Sequence, residues 1–144
     1  MKNLFQFSLA LFFISLLNSC SFVSIFFVQN LKDEDVKIDI EFEHIINEEE
    51  LKNIPSLFTS NVDNLKDFFN DEKKTKIEYK KVDERTISII LPKRSITKID
   101  NTINKRTNIT KIMITYINQT VEYERNELLK KSKFKRRGIL LQLK

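Results

Sequence analysis

The sequence predicts a mainly β protein: a single antiparallel sandwich or small barrel-like domain with one or two short helices, preceded by an apolar helix at the N-terminus. Two patterns predict this class. Apolar and polar residues alternate over several short segments, and turn-forming residues separate these segments. The length fits one domain that is large enough to bury an apolar core.

The composition excludes several classes of site. The 144 residues include one Gly, one Cys and one His. Phosphate-binding and dinucleotide-binding loops need several glycines at fixed spacing, and a zinc site of Cys and His needs several ligands. A single Cys also excludes a disulfide within the chain.

The strands follow in chain order from the alternation. An apolar run at residues 22–28 predicts a buried strand, and residues 36–43 predict a half-buried one with Val36, Ile38, Ile40 and Phe42 on one face. The polar turn between them predicts that these two strands form a hairpin. Further strands are predicted at residues 76–80, 86–91, 109–117, 121–123 and 138–143, and the spacing at 95–100 is ambiguous. We expect 109–117 to be central, because it is apolar on both faces.

Helical signals are fewer and shorter. Residues 47–50 resemble a capped helix start, with Pro55 ending the turn. Apolar residues at helical spacing predict a short helix over 61–70. Residues 47–70 are therefore expected to cross one end or edge of the sheet. Residues 126–131 predict a helical turn or loop.

The first twenty residues have the form of a secretory signal peptide. A positive start at Lys2 precedes a largely apolar run from Leu4 to Leu17. The next residues complete Leu17-Asn18-Ser19-Cys20, which resembles the lipobox of bacterial lipoproteins. The resemblance implies cleavage between Ser19 and Cys20, removal of residues 1–19, and a covalent diacylglycerol with a further acyl chain on Cys20. Two or more acyl chains hold a protein stably on a membrane.

Two alternatives stay open at this stage. Residues 4–28 could form one uncleaved helix that spans the membrane, or Cys20 could be an ordinary buried thiol. With cleavage, the chain divides into a signal peptide (1–19), the lipid-anchored Cys20 and a β-rich domain (21–144). This domain resembles small β-rich lipoproteins of bacterial envelopes.

Charge is distributed unevenly along the chain. Residues 31–72 hold 4 Lys against 13 Asp plus Glu, and residues 73–144 hold 20 Lys plus Arg against 7 acids. This asymmetry indicates either a charged partner or two halves that pair their charges in the fold.

The strongest candidate site is a basic stretch near the C-terminus. Its cations are Lys130, Lys131, Lys133, Lys135, Arg136 and Arg137. They could bind an anionic lipid surface or lipopolysaccharide, because each cation near such a surface contributes about 1 kcal/mol. The alternative is a solvated hairpin that leads into the last strand. Phe134, inside the stretch, fits either a wedge into headgroups or an anchor in the core.

Other chemistry has weaker support. The acidic groups at 33–35 and 48–50 lack the spacing and glycine of a calcium loop, and His44 has no second ligand or nucleophile at a recognisable spacing. We therefore expect no catalytic residue, no metal and no cofactor beyond the lipid on Cys20, although a pair of carboxylates acting on envelope polymers remains an alternative.

The sequence thus predicts a non-enzymatic binding or structural module of the cell envelope. Its expected partners are the membrane, through the lipid anchor, and an envelope protein or lipid; nucleic acid is not expected for an exported protein. Ser21 follows Cys20 where an acidic residue can mark inner-membrane retention, which favours the outer membrane.

Overall fold

The computed structural model describes residues 23–46, 57–103, 107–117, 119–135 and 138–144. In this part of the chain, two β-sheets pack face to face over an apolar core, with two short helices outside the sheets. The predicted class, a mainly β sandwich with short helices, is confirmed.

One sheet has six strands. Their order in the sheet is β10 (Lys133–Lys135), β11 (Gly138–Leu143), β1 (Val23–Asn30), β7 (Ser95–Ile103), β3 (Phe58–Ser60) and β4 (Thr75–Lys76). All neighbours are antiparallel except β1 and β11, which run parallel with Ile25 opposite Gly138. The first and last strands of the described chain therefore lie side by side.

The other sheet has five antiparallel strands. Their order is β5 (Tyr79–Lys81), β6 (Thr86–Leu91), β2 (Val36–Phe42), β8 (Ile109–Tyr116) and β9 (Gln119–Glu124). The predicted alternation in β2 is confirmed, because Val36, Ile38 and Ile40 are buried between the sheets.

The helices are α1 (Leu65–Asn70) and α2 (Arg125–Lys131). The short helix predicted within 61–70 is confirmed, and its start is fixed by Asn64, whose side chain accepts a hydrogen bond from the Asp67 backbone N–H at 3.0 Å. The helical turn predicted at 126–131 corresponds to α2, which buries Leu128.

The predicted hairpin of the first two strands is wrong. β1 and β2 belong to different sheets, and residues 31–35 carry the chain from one to the other. The buried Asn30 side chain holds this crossing, because its Nδ2 donates to Glu34 O at 2.8 Å and Pro92 O at 3.1 Å. β1 is apolar on both faces and pairs instead with β7 and β11.

The strand predicted at 76–80 is divided between the sheets. Lys76 ends β4 in the six-stranded sheet, and Tyr79 starts β5 in the five-stranded sheet. Ile77 is buried at the crossing, with its N–H donating to Leu57 O at 2.7 Å. The segment closes one edge of the sandwich, which explains why its alternation continues across two sheets.

β8, which the sequence predicts to be central, and β7 are both interior strands of their sheets. β8 lies between β2 and β9, one strand from the edge, and Ile117 is 84% exposed in the turn after it. The ambiguous segment at 95–100 belongs to β7, which is interior to its sheet and buries Ile96 and Ile99.

Several predictions fall on residues outside the described chain: the signal peptide (1–19), Cys20 and the helix start at 47–50. The alternative of one helix over residues 4–28 is wrong in that extent, because Val23–Asn30 forms β1. Among the described residues, no helix has the length and apolar character to span a bilayer.

Candidate functional site

The structure separates the cations of the predicted basic stretch. Lys130 is exposed on α2, and Lys131 Nζ lies 4.4 Å from the centroid of the Tyr123 ring, a cation–π contact on the side of β9. Lys133 and Lys135 lie on β10, and Arg136 and Arg137 lie outside the described residues. The predicted site therefore reduces, in the described chain, to the two lysines of an edge strand.

The register of β10 decides where these lysines point. Lys133 pairs with Leu140, Phe134 with Ile139, and Lys135 with Gly138. Paired residues share a face of the sheet. Since Ile139 belongs to the core between the sheets and Leu140 to a second cluster outside it, Lys133 and Lys135 lie on the outer face.

Phe134 consequently lies on the core side of β10, opposite Ile139. It is 52% exposed, because β10 is the edge strand of its sheet. Of the two predicted roles for Phe134, an anchor at the edge of the core fits its position better than a wedge on the lysine side. The hairpin predicted to lead into the last strand is present as β10 and β11.

A groove of about 630 Å³ runs over the outer face of the six-stranded sheet, between α1 and the β10–β11 edge. Leu65, Phe69 and Leu140 supply its apolar side chains. Its cations are Lys66 of α1 together with Lys133 and Lys135 of β10. We call this feature the lysine-rimmed groove.

Helix α1 stands beside the groove because its aromatic side chains pack on β1. Phe68 is 3% exposed, and its ring centroid lies 5.2 Å from that of Phe27; the Phe69 centroid lies 5.7 Å from Phe27. Both contacts are edge-to-face, the arrangement that aromatic pairs prefer. At the other end of α1, Lys74 Nζ donates to Asp71 O at 2.6 Å.

The lone glycine makes room for this packing. A Cβ at Gly138 would lie 2.5 Å from Ile25 O and 2.8 Å from a ring carbon of Phe27. Gly138 therefore lets β11 approach β1 and lets the Phe27 ring lie over the strand, where it supports α1 and the groove.

One end of the groove is polar and ordered by side-chain hydrogen bonds. Gln142 Nε2 donates to Gln29 Oε1 at 2.7 Å, and Gln29 Nε2 donates to Asp63 O at 3.0 Å. Among the acids of the described chain, Asp63 is the one that lines the groove, against three lysines. The groove is consequently cationic on balance.

Within the described chain, none of the three lysine side chains has an ion-pair or hydrogen-bond partner. Other cations do: among the described residues, three ion pairs join the acidic and basic halves of the chain. These are Arg94–Asp33 at 2.8 Å, Arg125–Glu43 at 2.8 Å and Lys111–Glu41 at 3.8 Å. The halves thus pair charges as the second interpretation of the asymmetry predicts, while the side chains of Lys66, Lys133 and Lys135 face the groove without an acidic partner in the described chain.

The acidic turn at 33–35 has a structural role. Arg94 donates two hydrogen bonds to the Asp33 carboxylate, at 2.8 and 3.0 Å, and these contacts lower the pKa of Asp33. Asp35 Oδ1 accepts from the Lys93 backbone N–H at 2.8 Å. The turn therefore joins the crossing loop at residues 31–35 to a second one at residues 92–94, which carries the chain from β6 to β7 at this end of the sandwich.

Carboxylates also meet around a depression of about 490 Å³, lined by Glu41, Asp83 and Glu84. The Arg85 backbone N–H donates to Asp83 Oδ1 at 2.8 Å, and this bond is the main cause of a lowered pKa of Asp83. A general acid at neutral pH needs a raised pKa instead. Asp83 therefore lacks the raised pKa that a general acid needs.

A buried carboxylate lies elsewhere, at Asp100, which accepts hydrogen bonds from Thr107 Oγ1 at 3.2 Å and from the Asn108 backbone N–H at 3.3 Å. Burial raises the pKa of Asp100.

His44 is exposed in the loop after β2, as expected for a rim position. No group of three or more His, Cys, Asp or Glu in the described ranges could hold a metal ion.

Sequence reasoning missed Lys66, Leu65 and Phe69. Their sequence signal is present but indirect: β1 and β11 are apolar on both faces, which indicates that something covers the outer face of their sheet. The nearest helix with apolar spacing is α1.

Comparisons with known proteins give no relative. No protein-family model matches the chain, and neither a curated protein nor a solved structure matches it.

Proposed function

We propose that this protein is a lipid-anchored, non-enzymatic module of the bacterial cell envelope that binds an anionic amphiphile, such as a phospholipid or lipopolysaccharide component. The anchor is a diacylglycerol and an acyl chain on Cys20, and the site of binding is the lysine-rimmed groove. The outer membrane is the proposed location.

The observation that carries the binding role is the pairing of apolar and cationic groups in one groove. Leu65, Phe69 and Leu140 offer an apolar surface, and Lys133 and Lys135 lie along its edge. Apolar pockets with a few placed charged groups are the usual form of a ligand site. An anionic amphiphile complements both parts, because its chain covers the apolar surface and its head group meets the lysines.

The anchor is tested by mass spectrometry of the mature N-terminus. We expect Cys20 to carry the acyl groups and residues 1–19 to be absent, and we expect a Cys20→Ala variant to stay unprocessed. An intact Met1 in the membrane fraction would instead support a retained N-terminal helix, and it would reject the lipoprotein proposal.

Ligand binding is tested with two short soluble lipids that share the same chains. The full protein in phosphatidylcholine nanodiscs is titrated by calorimetry with dihexanoyl phosphatidylglycerol and with dihexanoyl phosphatidylcholine, and empty nanodiscs supply the background. We expect the anionic lipid to bind more tightly. Lys133→Gln/Lys135→Gln should weaken its binding by about 2 kcal/mol, or roughly 30-fold, because each cation near an anionic group contributes about 1 kcal/mol.

A matched charge loss on the opposite edge is the control. Lys76 and Lys80 are exposed on β4 and β5, far from the groove in strand order. Lys76→Gln/Lys80→Gln removes the same net charge and should leave binding nearly unchanged. Equal losses in the two double variants would indicate a general charge effect and would reject the groove as the site.

A further inference from the structure

Loops at one end of the sandwich are tied together. β1 starts at this end with Val23, and β2 returns to it at Phe42. The Phe42 N–H donates to Arg85 O at 2.9 Å, and the Glu43 N–H donates to Asn108 O at 2.8 Å. Residues 43–46, 82–85 and 107–108, the described parts of the loops beside β2, β6 and β8, thus lie next to one another, and we call the surface that they form the N-terminal end.

Among the described residues of this surface, two aliphatic side chains are more than half exposed. Ile45 is 53% exposed and Val82 is 54% exposed. Their loops are joined, because the Ile46 N–H donates to Glu84 O at 2.8 Å and Lys81 Nζ donates to Ile46 O at 3.0 Å. The adjacent Ile46 is buried, and its backbone N–H and carbonyl oxygen are the two groups that make these hydrogen bonds. The backbone next to Ile45 is therefore fixed.

The opposite end of the sandwich exposes charged side chains. Its two crossing loops expose Asp33, Lys93 and Arg94, with the Arg94–Asp33 ion pair between them. Ile117 is also exposed there, in the turn after β8, and Ile90 is 51% exposed near the end of β6. Along β1 the two ends are about 25 Å apart, at roughly 3.3 Å per residue.

The distance from the N-terminal end to Cys20 is short. Cys20 precedes Val23 by three residue steps, which span at most about 11 Å even when fully extended. An acyl-bearing Cys20 therefore holds this end, and not the opposite one, within reach of the lipid headgroups.

We propose that the N-terminal end docks on the bilayer and that Ile45 and Val82 insert into its apolar interface. This inference rests on the lipid anchor of the proposed function. Removing the two side chains from water is favourable, and the anchor supplies a high local concentration of membrane. Lys135 lies near the same end, opposite Gly138 and next to the start of β1, so the cationic edge of the lysine-rimmed groove faces the headgroup region.

The absence of Trp from the chain makes a direct test possible. Single variants Ile45→Trp, Val82→Trp and Ile117→Trp are prepared in the full acylated protein and bound to phosphatidylcholine vesicles, with and without brominated acyl chains. We expect the emission of the first two to shift to shorter wavelength and to lose intensity with brominated lipid. Ile117→Trp, at the opposite end, should show neither change.

Flotation of the same samples separates the two proposals. Protein that does not float with the vesicles and has a free Cys20 thiol rejects the anchor and the docking together. Protein that floats, but whose Ile45→Trp and Val82→Trp emission is quenched no more than that of Ile117→Trp, overturns the docking alone. Because the two probes lie in separate loops, either one still decides the question if the other variant fails to fold, as judged by circular dichroism.

Discussion

The outer face of the six-stranded sheet and the outer face of the five-stranded sheet differ in how they meet solvent. On the five-stranded sheet, Lys37, Asp39, Glu41, Lys111 and Glu122 form ion pairs across the surface. On the six-stranded sheet, the corresponding face carries Phe27, Ile96 and Leu140, which α1 covers in part.

This contrast explains why the groove lies on the six-stranded sheet. Strands that alternate, such as β2, finish their outer face with charges and need no cover. β1 and β11 also carry apolar side chains on their outer face, Phe27 and Leu140, and these need a second layer. α1 has only six residues, so it covers part of the face, and the remainder is the lysine-rimmed groove.

The largest predicted effect removes the centre of the covered face. Phe27 is fully buried, so Phe27→Ala should lower the free energy of unfolding by about 3–5 kcal/mol, the usual cost of deleting a buried aromatic side chain. Met113 lies on the outer face of the five-stranded sheet, where Met113→Ala should cost only about 1 kcal/mol.

Urea unfolding monitored by circular dichroism measures both variants. Similar losses for Phe27→Ala and Met113→Ala would contradict the contrast between the two faces, because they would show that α1 adds little to the burial of Phe27.

A smaller effect is predicted at the glycine beneath the same ring. Gly138→Ala should lower the free energy of unfolding by about 1–3 kcal/mol, since the added Cβ meets Ile25 O and the Phe27 ring. In a Phe27→Leu background the cost should fall but should not vanish, because the clash with the backbone carbonyl remains. A double-mutant cycle measures this coupling; full additivity would show that the ring does not restrict position 138.

Local pattern predicted the strands better than their partners. The alternation in β2 and β6 and the apolar run of β1 correctly predict three strands, because the residues of a strand themselves determine which of its faces is buried. The pairing of β1 with β11 was not predictable in this way. It joins positions such as Gln29 and Gln142, which are 113 residues apart in sequence, and it depends on which sheet needs a two-sided apolar strand.

The candidate site was predictable only in part, for the same reason. The charge of Lys133 and Lys135 is visible in the sequence, but their direction follows from the register of β10 against β11. Lys131 looked equivalent and instead contacts Tyr123. Lys66 joins the site because of where α1 packs, which no local pattern specifies.

The smallest predicted effect compares one lysine from each outer face. Lys98 lies beside Phe27 in the ladder of the six-stranded sheet, and burial lowers its pKa. Lys111 lies on the five-stranded sheet, and its hydrogen bond to Glu122 raises its pKa. A titration of lysine Nζ groups followed by NMR should therefore show Lys98 losing its proton at lower pH than Lys111.

These shifts have opposite consequences for stability. Just below the ordinary lysine pKa, the unfolded chain holds the Lys98 proton more tightly than the folded chain, so stability rises with pH through that window. Above the ordinary value, the folded chain holds the Lys111 proton more tightly, and its contribution is lost as pH rises through the raised pKa.

Lys98→Met should remove the rise of stability with pH below the ordinary lysine pKa and leave the loss of stability above it. Equal pKa values for Lys98 and Lys111 would contradict this prediction. They would show that the outer face beside Phe27 is as accessible to water as the charged face of the five-stranded sheet.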